Sequence, residues 1–200
     1  MSSMVTLSYN EGFSFFGVQF KPGGISYFVD QPITEYAEKL LEFDDSGLSS
    51  IIDDDRKLAS RIDLYFISRL RKRLPVSPII ESIISQQGQI SIADLTRKFS
   101  ITYRTLERLF NNRVGLSPKE FISLIRFKNA MGKILKKSFG NLDESLMSIA
   151  FDAGYYDHAH LTREIKRFTG FTPSEIIQLE ETNRMFVAEF QKYPVHDRSR

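Results

Sequence analysis

The sequence predicts a mainly α-helical protein in which two helix-turn-helix subdomains are joined by a long helix, in homeodomain-like fashion, and preceded by a short β hairpin or strand remnant and connector helices. Three observations predict it. Apolar residues recur at spacings of three and four from Pro78 to Leu179. Capping residues stand where that spacing breaks. The same segment also repeats itself at an offset of 55 residues.

Phe13 to Val29 is aromatic and β-branched around a Lys21-Pro22-Gly23-Gly24 break, the pattern of a strand, a turn and a second strand. Two strands are marginal alone in water, so Phe15, Phe16, Val18 and Phe20 are expected to join a sheet completed elsewhere or to pack on helices. Thr34 to Phe43 should be a short helix, followed by a solvated acidic loop containing Asp53-Asp54-Asp55. Lys57 to Leu74 places Leu58, Ile62, Tyr65, Phe66 and Leu70 along one stripe, an amphipathic helix that stops before Pro75.

After a linker from Pro75 to Pro78, every element is expected to be helical. Ile79, Ile80, Ile83 and Ile84 define a helix closed near Gly88, and Ser91 caps another that runs to about Phe99. Thr102 to Arg113 is the third. Ser117-Pro118-Lys119-Glu120 supplies a capping Ser, a Pro at the first helical position and a Glu at the third, so a long helix should run from Pro118 to about Lys137 and break at Gly140-Asn141. Further helices are expected at Glu144 to Ala153, Asp157 to Phe168 and Pro173 to about Ala188. The expected organisation is therefore an incomplete N-terminal region with connector helices over 1–74, a double helix-turn-helix domain over 78–182, and a tail over 183–200.

The repeat aligns Leu106, Arg108, Gly115, Ser117, Pro118, Glu120 and Leu124 with Leu161, Arg163, Gly170, Thr172, Pro173, Glu175 and Leu179. Upstream the offset falls to 54, so the second copy carries one extra residue in its turn. On a helical wheel the second helix of the first copy turns Leu106, Leu109 and Phe110 inward and Arg104, Arg108 and Asn111 outward. In the second copy Leu161, Ile165 and Phe168 face inward, and Ala159, Arg163 and Lys166 outward. Both outward faces thus carry an arginine at the matched place. Its planar fork suits the O6 and N7 of guanine.

Residues 87–170 hold 14 Lys/Arg against 8 Asp/Glu, while the rest of the chain is acidic, although the whole is only +2. Clustered cations imply a polyanionic partner, because they release counterions condensed on phosphates. Cysteine is absent, which excludes disulfides, thiolate nucleophiles and thiolate metal sites, and with them a methyl-accepting repair enzyme. No metal site is expected of His158, His160 and His196, since residues two apart on a helix diverge. No run approaches the ~18 apolar residues of a membrane span and no leader pattern opens the chain, so a cytoplasmic protein without enzyme activity or cofactor is expected. From the residues alone, a basic helical module that binds an acidic protein remains an alternative to DNA binding.

Ile149-Ala150, Gly154-Tyr155-Tyr156-Asp157, His160-Leu161-Thr162-Arg163, Lys166-Arg167-Phe168, Gly170 and Thr172-Pro173-Ser174-Glu175 resemble the second-repeat signature of the AraC/XylS transcription regulators. The resemblance covers about Ile79 to Leu179 and implies a sequence-specific DNA-binding transcription factor that inserts two recognition helices into adjacent major grooves of double-stranded DNA. It further implies that Arg104, Arg108, His158, His160, Thr162 and Arg163 approach base edges. Asn111, Arg113, Lys119, Lys166 and Arg167 are expected at phosphates, and RNA polymerase is a further expected partner. Phe15 to Gly24 resembles the final strand of the small β-rich domain that precedes this module in some members. Most of that domain would then be missing, and no small-molecule effector is expected of so short an N-terminal region.

Overall fold

The computed structural model describes residues 18, 20–36, 47, 51, 58–71, 75–140 and 143–178. Eight α-helices are described: α1 (Leu58–Ser68), α2 (Ser77–Ser85), α3 (Ile92–Phe99), α4 (Tyr103–Arg113), α5 (Pro118–Ser138), α6 (Leu146–Asp152), α7 (His158–Thr169) and α8 (Pro173–Gln178). The chain divides into two compact units, Met1–Ser77 with Glu107–Leu116, and Pro78–Leu106 with Ser117–Arg200.

In the first unit the expected second strand is replaced. Gly24–Tyr27 and Ile33–Glu35 are 3-10 turns, and no strand occurs among the described residues. Local bonds account for the change. Gly23 takes a left-handed φ of 77°, the Ser26 hydroxyl donates to the Gly23 carbonyl at 2.6 Å, and the Gly24 amide donates to Lys21. The aromatic residues that suggested a sheet instead form a cluster in which Phe20, Phe28 and Phe66 of α1 lie 5.0–5.4 Å apart between centroids. Ile62 and Tyr65 of α1 are buried as the stripe required, but Leu70 lies beyond the helix and is exposed. Of the expected first strand, which starts at Phe13, only Val18 and Phe20 are described and neither lies in a strand; its other residues, most of the Thr34 to Phe43 helix, the Asp53-Asp54-Asp55 loop, the chain beyond Gln178 and His196 lie outside the described residues.

In the second unit α3 and α5 begin at the expected caps Ser91 and Ser117, α6 begins behind Ser145 rather than at the expected Glu144, and the caps repeat with the sequence. Ser91 and Ser145 accept from the amides three residues on, Asp94 and Ser148, both at 3.0 Å. Thr102 and Asp157 do the same for Thr105 and His160. Ser117 and Glu120 form a reciprocal capping box, and Thr172 and Glu175 form its copy: the Glu175 carboxylate accepts from the Thr172 amide at 2.6 Å and the Thr172 hydroxyl from the Glu175 amide at 3.3 Å. Duplication is therefore expressed in individual hydrogen bonds.

The turns explain the single-residue shift in offset. Ser100 (φ 51°) and Gly154 (φ 77°) both take the left-handed conformation, and the next amides, of Ile101 and Tyr155, return to the Thr96 and Ala150 carbonyls. Tyr156 is then the extra residue, 85% exposed. The apolar faces of α5, α6, α7 and α8 enclose one core in which Ile134, Ile149, Leu161, Ile165 and Ile176 are fully buried. α2 and α3 bury Ile79, Ile80, Ile83 and Leu95, and the Lys98 ammonium reaches from α3 to the Ser82 hydroxyl of α2 at 2.9 Å.

The capping box has a measurable weight. Ser117→Ala should destabilise the chain by about 1 kcal/mol in urea unfolding. Its serine bonds hold the Glu120 carboxyl below the usual range. Because the folded pKa is the lower one, that stability is complete above the unfolded pKa and disappears as pH falls through the folded pKa. The difference between parent and variant should therefore shrink on acidification, and a constant difference would count against the box.

Candidate nucleic-acid interface

The two helices expected to carry the base-reading side chains are present as α4 and α7. α4 and α7 each follow a tight turn, start at a side-chain cap, and are followed by a left-handed glycine, Gly115 and Gly170, both at φ 81°. In α4, Leu106 and Phe110 are fully buried whereas Arg104 and Arg108 are exposed; in α7, Leu161 and Ile165 are fully buried whereas Ala159, Arg163 and Lys166 are exposed. The apolar stripe fixes the rotation of each helix, and rotation decides which side chains meet solvent.

A basic side chain held by a neighbouring carboxylate is less available to a ligand. Among the described residues Arg104, Arg108 and Arg163 form no ion pair. The adjacent Glu164, the obvious candidate for neutralising Arg163, is engaged elsewhere: it accepts from the Ser123 hydroxyl of α5 and from Arg167 Nη2 at 3.1 Å. Arg163 therefore offers an unneutralised guanidinium on the exposed face of α7.

The other expected contact residues fall into different situations. His158 and His160 are half-buried, and the His160 ring packs edge-on to Tyr155 with centroids 5.1 Å apart. Burial pushes the Tyr155 phenol well above its usual pKa, so it stays protonated beside that histidine. Lys119 and Lys166 are exposed and Asn111 is half-buried. Lys166 lies close enough to Glu175 to help hold that carboxyl below its usual range, after the larger effect of the Thr172 bonds. Arg113 is half-buried and donates to the Ser26 carbonyl at 3.4 Å. Arg167 bonds Ser123 and Glu164 and stacks over Phe168 at 4.5 Å.

Two expectations change. Thr162 does not present its hydroxyl outward: Oγ1 is buried, with no hydrogen-bond partner among the described residues. One position past Leu161, it sits on the edge of the buried stripe, so it offers no hydroxyl to a base edge. Phe168, expected inside, is 37% exposed and packs against Phe127 of α5 at 4.4 Å, at the rim of the core. The Ser123–Glu164–Arg167 group has no signature in the sequence. It joins residues 41 and 44 positions apart, and only packing of α7 on α5 brings them together.

Comparison with known proteins agrees with this geometry. Residues 95–178 match the family model described as a helix-turn-helix domain. The chain is similar to the HTH-type transcriptional activator RhaS of Escherichia fergusonii, with 33% identity over 88 residues, 44% of this chain and 29% of that protein. It is 32% identical to the HTH-type transcriptional regulator ExsA of Pseudomonas aeruginosa over 83 residues, covering 42% and 28%. With the virulence regulon transcriptional activator VirF of Yersinia enterocolitica it shares 30% identity over 84 residues, covering 42% and 29%. The chain thus spans less than a third of the length of these relatives. Among the described residues no helix is long and apolar enough to cross a membrane.

Proposed function

From the AraC/XylS-type helix-turn-helix domain that this chain carries over residues 95–178, we propose that it is a sequence-specific, DNA-binding transcription regulator acting in the cytoplasm. One observation carries the reading: two capped, duplicated helices each hold, at the matched exposed position, an arginine that forms no ion pair among the described residues, Arg108 and Arg163. Helix α5, with 21 residues, spans about 31 Å at 1.5 Å per residue. Successive major grooves on one face of DNA lie about 34 Å apart. A stiff spacer of that length suits one chain that places α4 and α7 in adjacent grooves, and the double domain is proposed to extend over 78–182.

In this reading Arg104, Arg108, His158, His160 and Arg163 meet base edges, and Asn111, Lys119 and Lys166 meet phosphates. Arg113 and Arg167 join the phosphate contacts only by releasing the partners described above. RNA polymerase is the further partner proposed, in keeping with relatives whose names describe activators. No catalytic step is assigned to the chain.

Selection of binding sites from random duplex DNA tests the proposal. It should return a two-part motif whose affinity falls log-linearly with salt. Binding without preference among sequences would favour a basic protein-interaction module instead. Lys166→Ala should weaken all duplexes evenly and reduce the salt slope by about one.

A further inference from the structure

The turn between α2 and α3 meets the end of α6 through contacts that DNA reading does not explain. Gln89 Nε2 donates to the carbonyl of Asp152, the last residue of α6, at 2.7 Å. Arg126, in the middle of α5, donates from Nε to the Gly88 carbonyl at 2.7 Å, and Asn129 donates to the Gln87 carbonyl at 3.0 Å. One turn further, the Lys133 ammonium holds the Asp152 carboxylate at 2.6 Å and Glu144 at 3.3 Å. Spacings of three and four put Arg126, Asn129 and Lys133 on one face of α5. That face binds the α2–α3 turn at one end and the last turn of α6 at the other, while Gln89 closes the triangle directly.

The glycines show how tight this junction is. A Cβ on Gly88 would stand 2.8 Å from both the Ile122 carbonyl and Arg126 Cγ, and one on Gly154 would stand 2.8 Å from Gln89 Cγ. Conformation alone does not require glycine at 154, since Ser100 takes the left-handed turn at the matched place in the first repeat. Gly154 also leaves room for the approach of Gln89.

We infer that Gln89, Arg126 and Asn129 are positioning residues that lock the α2–α3 turn to the α6–α7 turn and thereby set the half-site spacing the chain accepts on DNA. The bonds end on backbone carbonyls, which cannot reorient without moving their helices, so the lock acts on the elements themselves. Its consequence for DNA rests on the two-groove reading above; the lock itself does not.

The test therefore has two arms, both on the full chain. Because the sequence lacks cysteine, Ala93→Cys with Ser174→Cys carries spin labels at those two exposed positions only. Without DNA, pulsed electron paramagnetic resonance should give a narrow distance distribution, which Gln89→Ala with Arg126→Ala widens about twofold as a packed contact opens. An unchanged width overturns the lock. Asn129→Ala, which leaves the Gln89 and Arg126 bonds in place, gives the same reading with a smaller widening should the double variant unfold.

In the second arm one base pair is inserted between the half-sites of a selected duplex, turning one about 36° from the other. The parent should lose about a hundredfold in affinity as the second head is disengaged, and the double variant about tenfold or less. A hundredfold loss retained in the variant overturns the inference about spacing. If the parent binds both duplexes equally while the label width still responds, the two-groove reading falls and the lock stands.

Discussion

Leu161→Ala is expected to remove about 2–5 kcal/mol of stability in urea unfolding, with little change in the slope of the transition. Leu161 is fully buried and belongs to the cluster that contains Ile134, Ile149, Ile165 and Ile176, contributed by four different helices. Truncation leaves a cavity that backbone hydrogen bonding prevents the helices from closing completely, so the transfer and cavity contributions add. Against the ~5–15 kcal/mol that holds a domain folded, the loss is large enough to populate unfolded chains at 37 °C. DNA binding should decline with the folded fraction, because the same side chain sets the rotation of α7 and hence the direction of Arg163. A loss below about 1 kcal/mol would mean that the site collapses freely, and that α7 is not held as described.

The second large effect belongs to affinity rather than stability. Arg108→Ala and Arg163→Ala should each weaken binding to the selected site by about 1–3 kcal/mol, roughly 5- to 150-fold, while leaving the unfolding midpoint nearly unchanged. Both side chains are exposed and, among the described residues, form no ion pair, so nothing in the fold is lost with them. Specificity should relax only at the base pairs that each one reads, and those base pairs should lie in different halves of the motif. If both variants kept the parent's base preferences, the arginines would be ordinary surface charges. Measuring the double variant decides whether the heads act independently: losses that add support separate contacts, and a shortfall indicates coupling.

What could be read from the residues was whatever is encoded locally or by repetition. Ser91, Ser117, Asp157 and Thr172 cap because their side-chain oxygens satisfy amides within three residues, a bond that needs no distant partner. The stripe through Leu106 and Leu161 follows from helical period, and it fixed in advance that Arg108 and Arg163 would be exposed. The strand reading of Ile25 to Val29 failed because aromatic and β-branched content describes a surface that packs, not the partner it packs on. Here the partner is Phe66 of α1, and the Ser26 and Gly23 bonds curl the chain into a 3-10 turn.

The remaining features depend on contacts across long sequence separations, which no local pattern records. Period alone could not show that the Thr162 hydroxyl turns inward, that Glu164 is engaged by Ser123 and Arg167, or that Phe168 stacks at the rim against Phe127. The sequence by itself determined two copies of a capped helix pair, their spacer, and an arginine on each outer face. Only the tertiary structure decided which polar groups stay available and how the α2–α3 turn is tied to the end of α6. Caps and stripes arise from bonds within a few residues, whereas a polar side chain's freedom is set by whatever distant element the fold brings beside it.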